Sequence, residues 1–207
     1  CIRDSLYSER DDEFELLAAM EERVRSGVER SKAVGLAELL CLAAYRPLHR
    51  LLPGSLLTAL DAVPEVKRRI YTEPLTERAL TAELPSLGEI TDITSVKVRR
   101  QYENNPYPRW VRAHILAEAV SAEAVFKQSG LRFRSERDLN LATPEILIAG
   151  CGTGQHAIES AATWRDSELL AVDISLASLS YAKRKTGELN LNNIDFLHAD
   201  ILDLRLL

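Results

Sequence analysis

The chain has 207 residues, enough for one large domain or two small ones, and its 46% hydrophobic and 28% charged content excludes wholesale disorder and fibrous repeats. Its 26 basic and 31 acidic residues leave a net charge of -5, which argues against non-specific nucleic-acid binding because phosphates call for a basic face. The longest apolar run, Leu39 to Tyr45, falls well short of the ~18–20 residues needed to span a bilayer, so no membrane partner is expected.

From the N-terminus, Cys-Ile-Arg-Asp-Ser has no basic flank leading into an apolar core, so a signal peptide is not expected. Residues 1 to about 135 read as helical. Asp11-Asp12-Glu13 places negative charge at a helix start, with Phe14, Leu17, Val24 and Val28 on one face and Gly27 near the end. Lys32 to Tyr45 predicts a second, more uniformly apolar helix, stopped before Pro47. Pro53-Gly54 reads as a turn, Ser55 as an N-cap, and Pro64 as a first helical residue. Thr94 to Glu103 predicts another helix, followed by the stiff connector Asn104-Asn105-Pro106-Tyr107-Pro108. A long amphipathic helix is expected from about Trp110 to Gln128, burying Val111, Ile115, Ala119, Ala122 and Phe126, with Gly130 as its stop.

After Thr143-Pro144 the pattern changes to strand, helix, strand, helix, strand. The strands are Glu145 to Ala149, Leu169 to Val172 and Ile194 to His198, with Ser175 as an N-cap for the helix Leu176 to Leu189. Fully apolar strands in this order imply parallel pairing with both faces covered, the first half of a doubly wound α/β sheet. The glycine run Gly150-Cys151-Gly152-Thr153-Gly154 sits at the carboxyl end of the first strand, where such sheets bind ligands. Glycine there leaves room against the main chain, and the helix start that follows offers unpaired amides.

Two cofactor classes compete for that loop. A dinucleotide fingerprint wants a small residue at the position held by Gln155, whereas the run present is Gly-x-Gly-x-Gly. Asp173 ends the second strand and suits ribose hydroxyls in either class. Asp200, just past the third strand, suits an adenine amine, with Ile174 and Ile201 as apolar cover for the ring.

Taken together, Ile146–Gly154, Leu170–Ser175 and His198–Leu202 resemble the class I S-adenosylmethionine-dependent methyltransferases. The resemblance implies S-adenosylmethionine as cofactor, methyl transfer to an unidentified acceptor, and a Rossmann-like sheet of which three parallel strands are present. It implies Gly150, Cys151, Gly152 and Gly154 around the methionine part, Asp173 on the ribose, and Asp200 with Ile174 and Ile201 at the adenine. The family often has an acid two residues before the first glycine, where this chain has Ile148. Contacts to the cofactor's ammonium group then fall to backbone or other residues. The segment Gln101 to Trp110 is similar to one preceding the catalytic domain of bacterial methyltransferases often joined to tetratricopeptide repeats. That implies a helical region at 1–100 and a methyltransferase part at 101–207, with the cofactor half at 144–207 ending before a fourth strand.

Of the remaining candidates, Tyr107 and Arg109 could reach cofactor or substrate, Arg109 as a planar partner for a carboxylate, or could pin the connector to a core. Cys151 has no basic partner in sequence and reads as a small loop residue rather than a nucleophile. His156 and His198 read as solvated or packed, and Lys183-Arg184-Lys185 as the solvated face of a helix. The cysteines Cys1, Cys41 and Cys151 suggest free thiols in a reducing compartment, hence a cytoplasmic protein. The histidines show no metal-ligand spacing, so no metal is expected, and no general base can be named. A nucleotide-dependent oxidoreductase and a non-catalytic scaffold are the alternative readings. The missing neighbour of the first strand predicts an open edge, to be covered by a partner chain, by the upstream helices or by further protein sequence, and otherwise leading to self-association.

Overall fold

Chain packing follows the change of texture read in the sequence. The computed structural model describes residues 10–52, 57–104, 106–115, 118–130 and 142–206. The expectations placed on Cys1, on Pro53-Gly54 and on Ser55 lie outside the described residues. The chain divides into two compact units, Cys1–Ala79 and Leu80–Leu207.

The first unit is helical. Helix α1 (Phe14–Glu29) and helix α2 (Leu36–Tyr45) bury Leu17 and Val24, and Leu39 and Leu42, respectively, while Phe14 stays exposed. The short helices α3 (Leu48–Leu51) and α4 (Pro64–Lys67) follow, the latter with proline in its first turn, where its missing N–H is no loss. Val24, Leu39, Leu42, Leu48, Leu52, Leu57, Leu60 and Tyr71 form one core. The buried Tyr71 hydroxyl donates to the Leu52 carbonyl at 2.6 Å, so the ring is buried without stranding its polar end.

The boundary between the units falls within helix α5 (Glu73–Thr81), earlier than the division at residue 100 expected from sequence. The reason is structural: Leu84 joins the core of the second unit, and residues 85–87 pair with its third strand. Helix α6 (Ile93–Asn104) therefore belongs to the second unit.

In that unit β1 (Glu145–Ala149), β2 (Glu168–Asp173) and β3 (Ile194–His198) form a parallel sheet in the order β1-β2-β3. Register sets Ile148 beside Ala171 and Ala171 beside Phe196, so alternate residues share one face. Helices α8 (Gln155–Thr163) and α9 (Leu176–Glu188) cover that face with Ala157, Ile158, Ala161, Leu179 and Ala182. This is the Rossmann-like half-sheet expected. Coverage of both faces is not seen among the described residues: Leu147, on the other face, is 53% exposed. The outer edge of β3 is blunted by the Pro85 carbonyl and Leu87 amide, each 2.9 Å from a backbone partner on His198.

In place of the long helix expected from Trp110 to Gln128, the described residues 110–115 and 118–121 are non-helical and the short helix α7 (Ala122–Ser129) follows, ended by Gly130 in the left-handed region. Tertiary bonds compete for its backbone. The His114 amide donates to Glu159 at 2.7 Å and the Val120 amide to the Thr163 carbonyl at 2.8 Å. Val111 and Ile115 are consequently exposed. The expectation of a solvated Lys183-Arg184-Lys185 face is also overturned. Arg184 and Lys185 are buried, with Arg184 5.0 Å from the centre of the Tyr181 ring and Lys185 5.0 Å from that of Trp110. Both long side chains lie along aromatic surface.

Candidate functional site

At the carboxyl ends of the strands the chain turns sharply after β1. The Gly150 and Cys151 amides both donate to the Val172 carbonyl, at 2.8 and 2.9 Å, which pins the loop across β2. Gly150, Gly152 and Gly154 have φ of 74°, 55° and 76°. They serve different ends. A Cβ on Gly150 or Gly152 would meet nothing within 4 Å, whereas one on Gly154 would lie 2.5 Å from the Ala182 Cβ of α9. The first two open a cradle, and the third lets α8 approach α9.

That cradle is one wall of a cavity of about 560 Å³, within the size range of small-molecule sites. Gly150, Cys151, Gly152, Asp173, Ile174, Asp200, Ile201 and Tyr107 of the sequence candidates line it. Gly154 and Arg109 do not. Gly154 packs against α9, and the Arg109 guanidinium stacks 4.8 Å from the centre of the Tyr181 ring.

Asp173 is buried, and its two oxygens accept from backbone amides, Oδ2 from Gly152 at 2.7 Å and Oδ1 from Ser175 at 2.9 Å. Burial pushes its carboxyl above the usual range, and those amides counter the rise in part. A carboxylate has about four acceptor sites, so each oxygen can still take a hydroxyl proton. Asp200, also buried, accepts from the Leu202 amide through Oδ1 at 3.0 Å, and Oδ2 can take an amine proton. Burial and the Asp173 charge raise the Cys151 thiol far above its ordinary value, so it is no nucleophile at neutral pH.

His198 lies between Ser86 Oγ and the Ile174 carbonyl, each at 3.0 Å from a ring nitrogen. A carbonyl only accepts, so Nε2 carries a proton, and Nδ1 exchanges a hydrogen bond with the Ser86 hydroxyl. The ring thus supports the β2 turn from behind. His156 is exposed at the rim. The connector is fastened to the glycine loop: Thr153 Oγ1 donates to the Pro108 carbonyl at 2.6 Å, and Trp110 Nε1 donates to the Thr153 carbonyl at 2.9 Å. Tyr107 is thereby held at the cavity.

One wall was not anticipated. Thr94, Ser95, Val98 and Tyr102 of α6 line the cavity. Ser95, Val98 and Tyr102 recur at i, i+3 and i+7, the spacing of one helix face, which is the signal that would have found them.

Residues 146–207 match the family described as a methyltransferase domain. Residues 146–207 therefore carry a methyltransferase domain. The chain is 30% identical over 151 residues to the release factor glutamine methyltransferase of Rhodopirellula baltica, covering 72% of this chain and 47% of that protein. It is also 30% identical over 116 residues to the tRNA (guanine-N(7)-)-methyltransferase of Rubrobacter xylanophilus, covering 52% and 48%. A solved SAM-dependent methyltransferase from Aquifex aeolicus aligns with 54% of this chain and 48% of its own, at 18% identity and a TM-score of 0.25. The chain spans about half the length of the relatives it matches.

The family's cofactor is S-adenosylmethionine. The donor set fits it: an open glycine cradle, a carboxylate with acceptor capacity for ribose hydroxyls, and a second for an exocyclic amine, between Ile174 and Ile201. Ile148, where the family often has an acid, is buried in the core. Among the described residues no helix is long and apolar enough to cross a membrane.

Proposed function

We propose that this chain carries the cofactor-binding part of an S-adenosylmethionine-dependent methyltransferase acting on an acceptor with an oxygen, nitrogen, carbon or sulfur nucleophile. The observation that carries this reading is the convergence of Gly150, Gly152, Asp173 and Asp200 on one cavity at the carboxyl ends of adjacent strands. When bound, the cofactor supplies a methyl group on sulfonium sulfur, open to displacement. The chain's own residues bind and orient. Asp173 takes the ribose hydroxyls, Asp200 the adenine amine, Ile174 and Ile201 flank the ring, and the loop of Gly150, Cys151 and Gly152 leaves room for the methionine part. Rate enhancement comes from alignment and exclusion of water rather than from a nucleophile in the loop, consistent with the protonated Cys151. The free thiols at Cys41 and Cys151 support a reducing, cytoplasmic setting.

Isothermal titration of the full chain with S-adenosylmethionine, S-adenosylhomocysteine and NADH tests this reading. The sulfonium cofactor and its demethylated product bind, and NADH does not. Asp200→Ala weakens both by roughly 1–3 kcal/mol, the cost of a buried hydrogen bond to a charged group. Binding of NADH without response to S-adenosylmethionine overturns the reading.

A further inference from the structure

We propose that Glu103 is a positioning residue for the cofactor site, acting through Ser175 on Asp173. The inference rests on the methyltransferase reading above for what the site binds, and on hydrogen bonds alone for how Glu103 acts.

Glu103 stands in the last turn of α6, 72 residues before Ser175, yet its Oε2 accepts from Ser175 Oγ at 3.1 Å and from the Ala177 amide at 3.3 Å. Ser175 is fully buried, and its Oγ also accepts from the Ser178 amide at 3.1 Å as the N-cap of α9. A hydroxyl has one proton. With that proton committed to Glu103, the rotor is fixed and a lone pair stays aimed at Ser178. The Ser175 amide in turn donates to Asp173 Oδ1, and Asp173 Oδ2 receives the Gly152 amide. A continuous run of hydrogen bonds thus leads from α6 through the β2 turn and the ribose-binding acid to the glycine loop. All of it lies within the unit Leu80–Leu207.

The same contact seats a wall. α6 presents Thr94, Ser95, Val98 and Tyr102 to the cavity, and Glu103 fixes the end of that helix against α9. Its charge also suits the place, because the start of α9 carries the positive end of the helix dipole and amides that would otherwise lack partners. Glu103 touches neither the cavity nor any reacting atom in this arrangement. It sets where Asp173 and the α6 wall stand.

The test uses the full chain, with Glu103→Ala, Glu103→Gln and Ser175→Ala. Amide hydrogen exchange is read without ligand. Loss of a local cap alone speeds exchange at Ala177. The relay also speeds it at Gly152, on the far side of Asp173, and the glutamine variant, which keeps an acceptor oxygen, restores it. S-adenosylhomocysteine binding weakens on the order of tenfold in Glu103→Ala, as expected for losing hydrogen bonds to a charged group, and recovers in Glu103→Gln. Losses in Glu103→Ala and Ser175→Ala are non-additive in the double variant. Unchanged Gly152 exchange with unchanged affinity in a folded Glu103→Ala chain overturns the proposal. If that variant does not fold, Ser175→Ala decides in its place by the same Gly152 signal. A wild-type chain that fails to bind S-adenosylhomocysteine overturns the methyltransferase reading, while Gly152 exchange still decides the relay.

Discussion

Asp173 is buried at the cavity, where the proposed ribose contact calls for a charged acceptor, and burial opposes that charge. Burial raises its carboxyl above the ordinary value of 3.8, with the Ser175 and Gly152 amides opposing the rise. The folded chain therefore binds this proton more tightly than the unfolded one. The associated stability is present below pH 3.8 and is lost as pH rises through the raised value. Asp173→Asn abolishes that loss, so the stability difference between variant and wild type should shift in favour of the variant across this window and level off above it. Melts at a series of pH values measure the slope, and a parallel pH dependence in both proteins contradicts the assignment. The glycines separate packing from binding in the same way. Gly154→Ala sets a Cβ 2.5 Å from the Ala182 Cβ at a φ of 76°, and should cost about 2–5 kcal/mol of stability from overpacking and backbone strain together. Gly152→Ala meets open space at a φ of 55° and should cost about 1–2 kcal/mol. Its methyl group enters the cradle, so its larger effect falls on S-adenosylhomocysteine affinity. Melting and titration of the pair show whether the two losses divide as stated.

At the scale of elements, the connector after α6 ties the cavity's two sides. Trp110 donates from its indole to the Thr153 carbonyl and is buried against Tyr181, with ring centres 5.9 Å apart in an edge-to-face pair. Trp110→Phe keeps most of the apolar surface and removes the donor, leaving a buried carbonyl without it. Urea unfolding should show a loss of about 1–3 kcal/mol in midpoint stability with an unchanged slope. An unchanged midpoint means that the indole bond contributes nothing. The half-sheet was legible in sequence because its cues are local. β1 is a short, largely apolar run, β3 sets Ile194 and Phe196 two residues apart on its buried face, the glycines follow β1 directly, and Ser175 caps α9 through the Ser178 amide as its position implied. What sequence missed depends on distant partners. The sequence after Trp110 carries a helical pattern, but Glu159 claims the His114 amide and Thr163 the Val120 amide. Arg184 and Lys185 look solvated until the rings of Tyr181 and Trp110 are brought under them. Glu103 gives no local sign of its role, because every partner it needs is some 70 residues away.

At the scale of the molecule, the sheet's two edges differ. The β3 edge is met by residues 85–87, whereas among the described residues nothing pairs with the outer edge of β1. That strand shows exposed Glu145, Leu147 and Ala149, with Leu147 at 53%. An open strand with apolar side chains is a template for another strand. A second copy of this chain is an apt occupant, because a two-fold axis through the edge pairs β1 antiparallel with its own counterpart. Centred on Leu147, such pairing sets Leu147 opposite itself and Glu145 opposite Ala149, so no like charges face each other. The 207-residue chain should therefore dimerise with rising concentration in sedimentation velocity runs. Leu147→Lys places two ammonium groups opposite one another at the centre of the pairing and should return the chain to monomer. Since Leu147 is more than half exposed in the single chain, that substitution should leave the melting temperature of the sheet nearly unchanged, which distinguishes a broken interface from a broken fold. A wild-type chain that stays monomeric through the micromolar range contradicts the argument, as does a Leu147→Lys chain that associates as before.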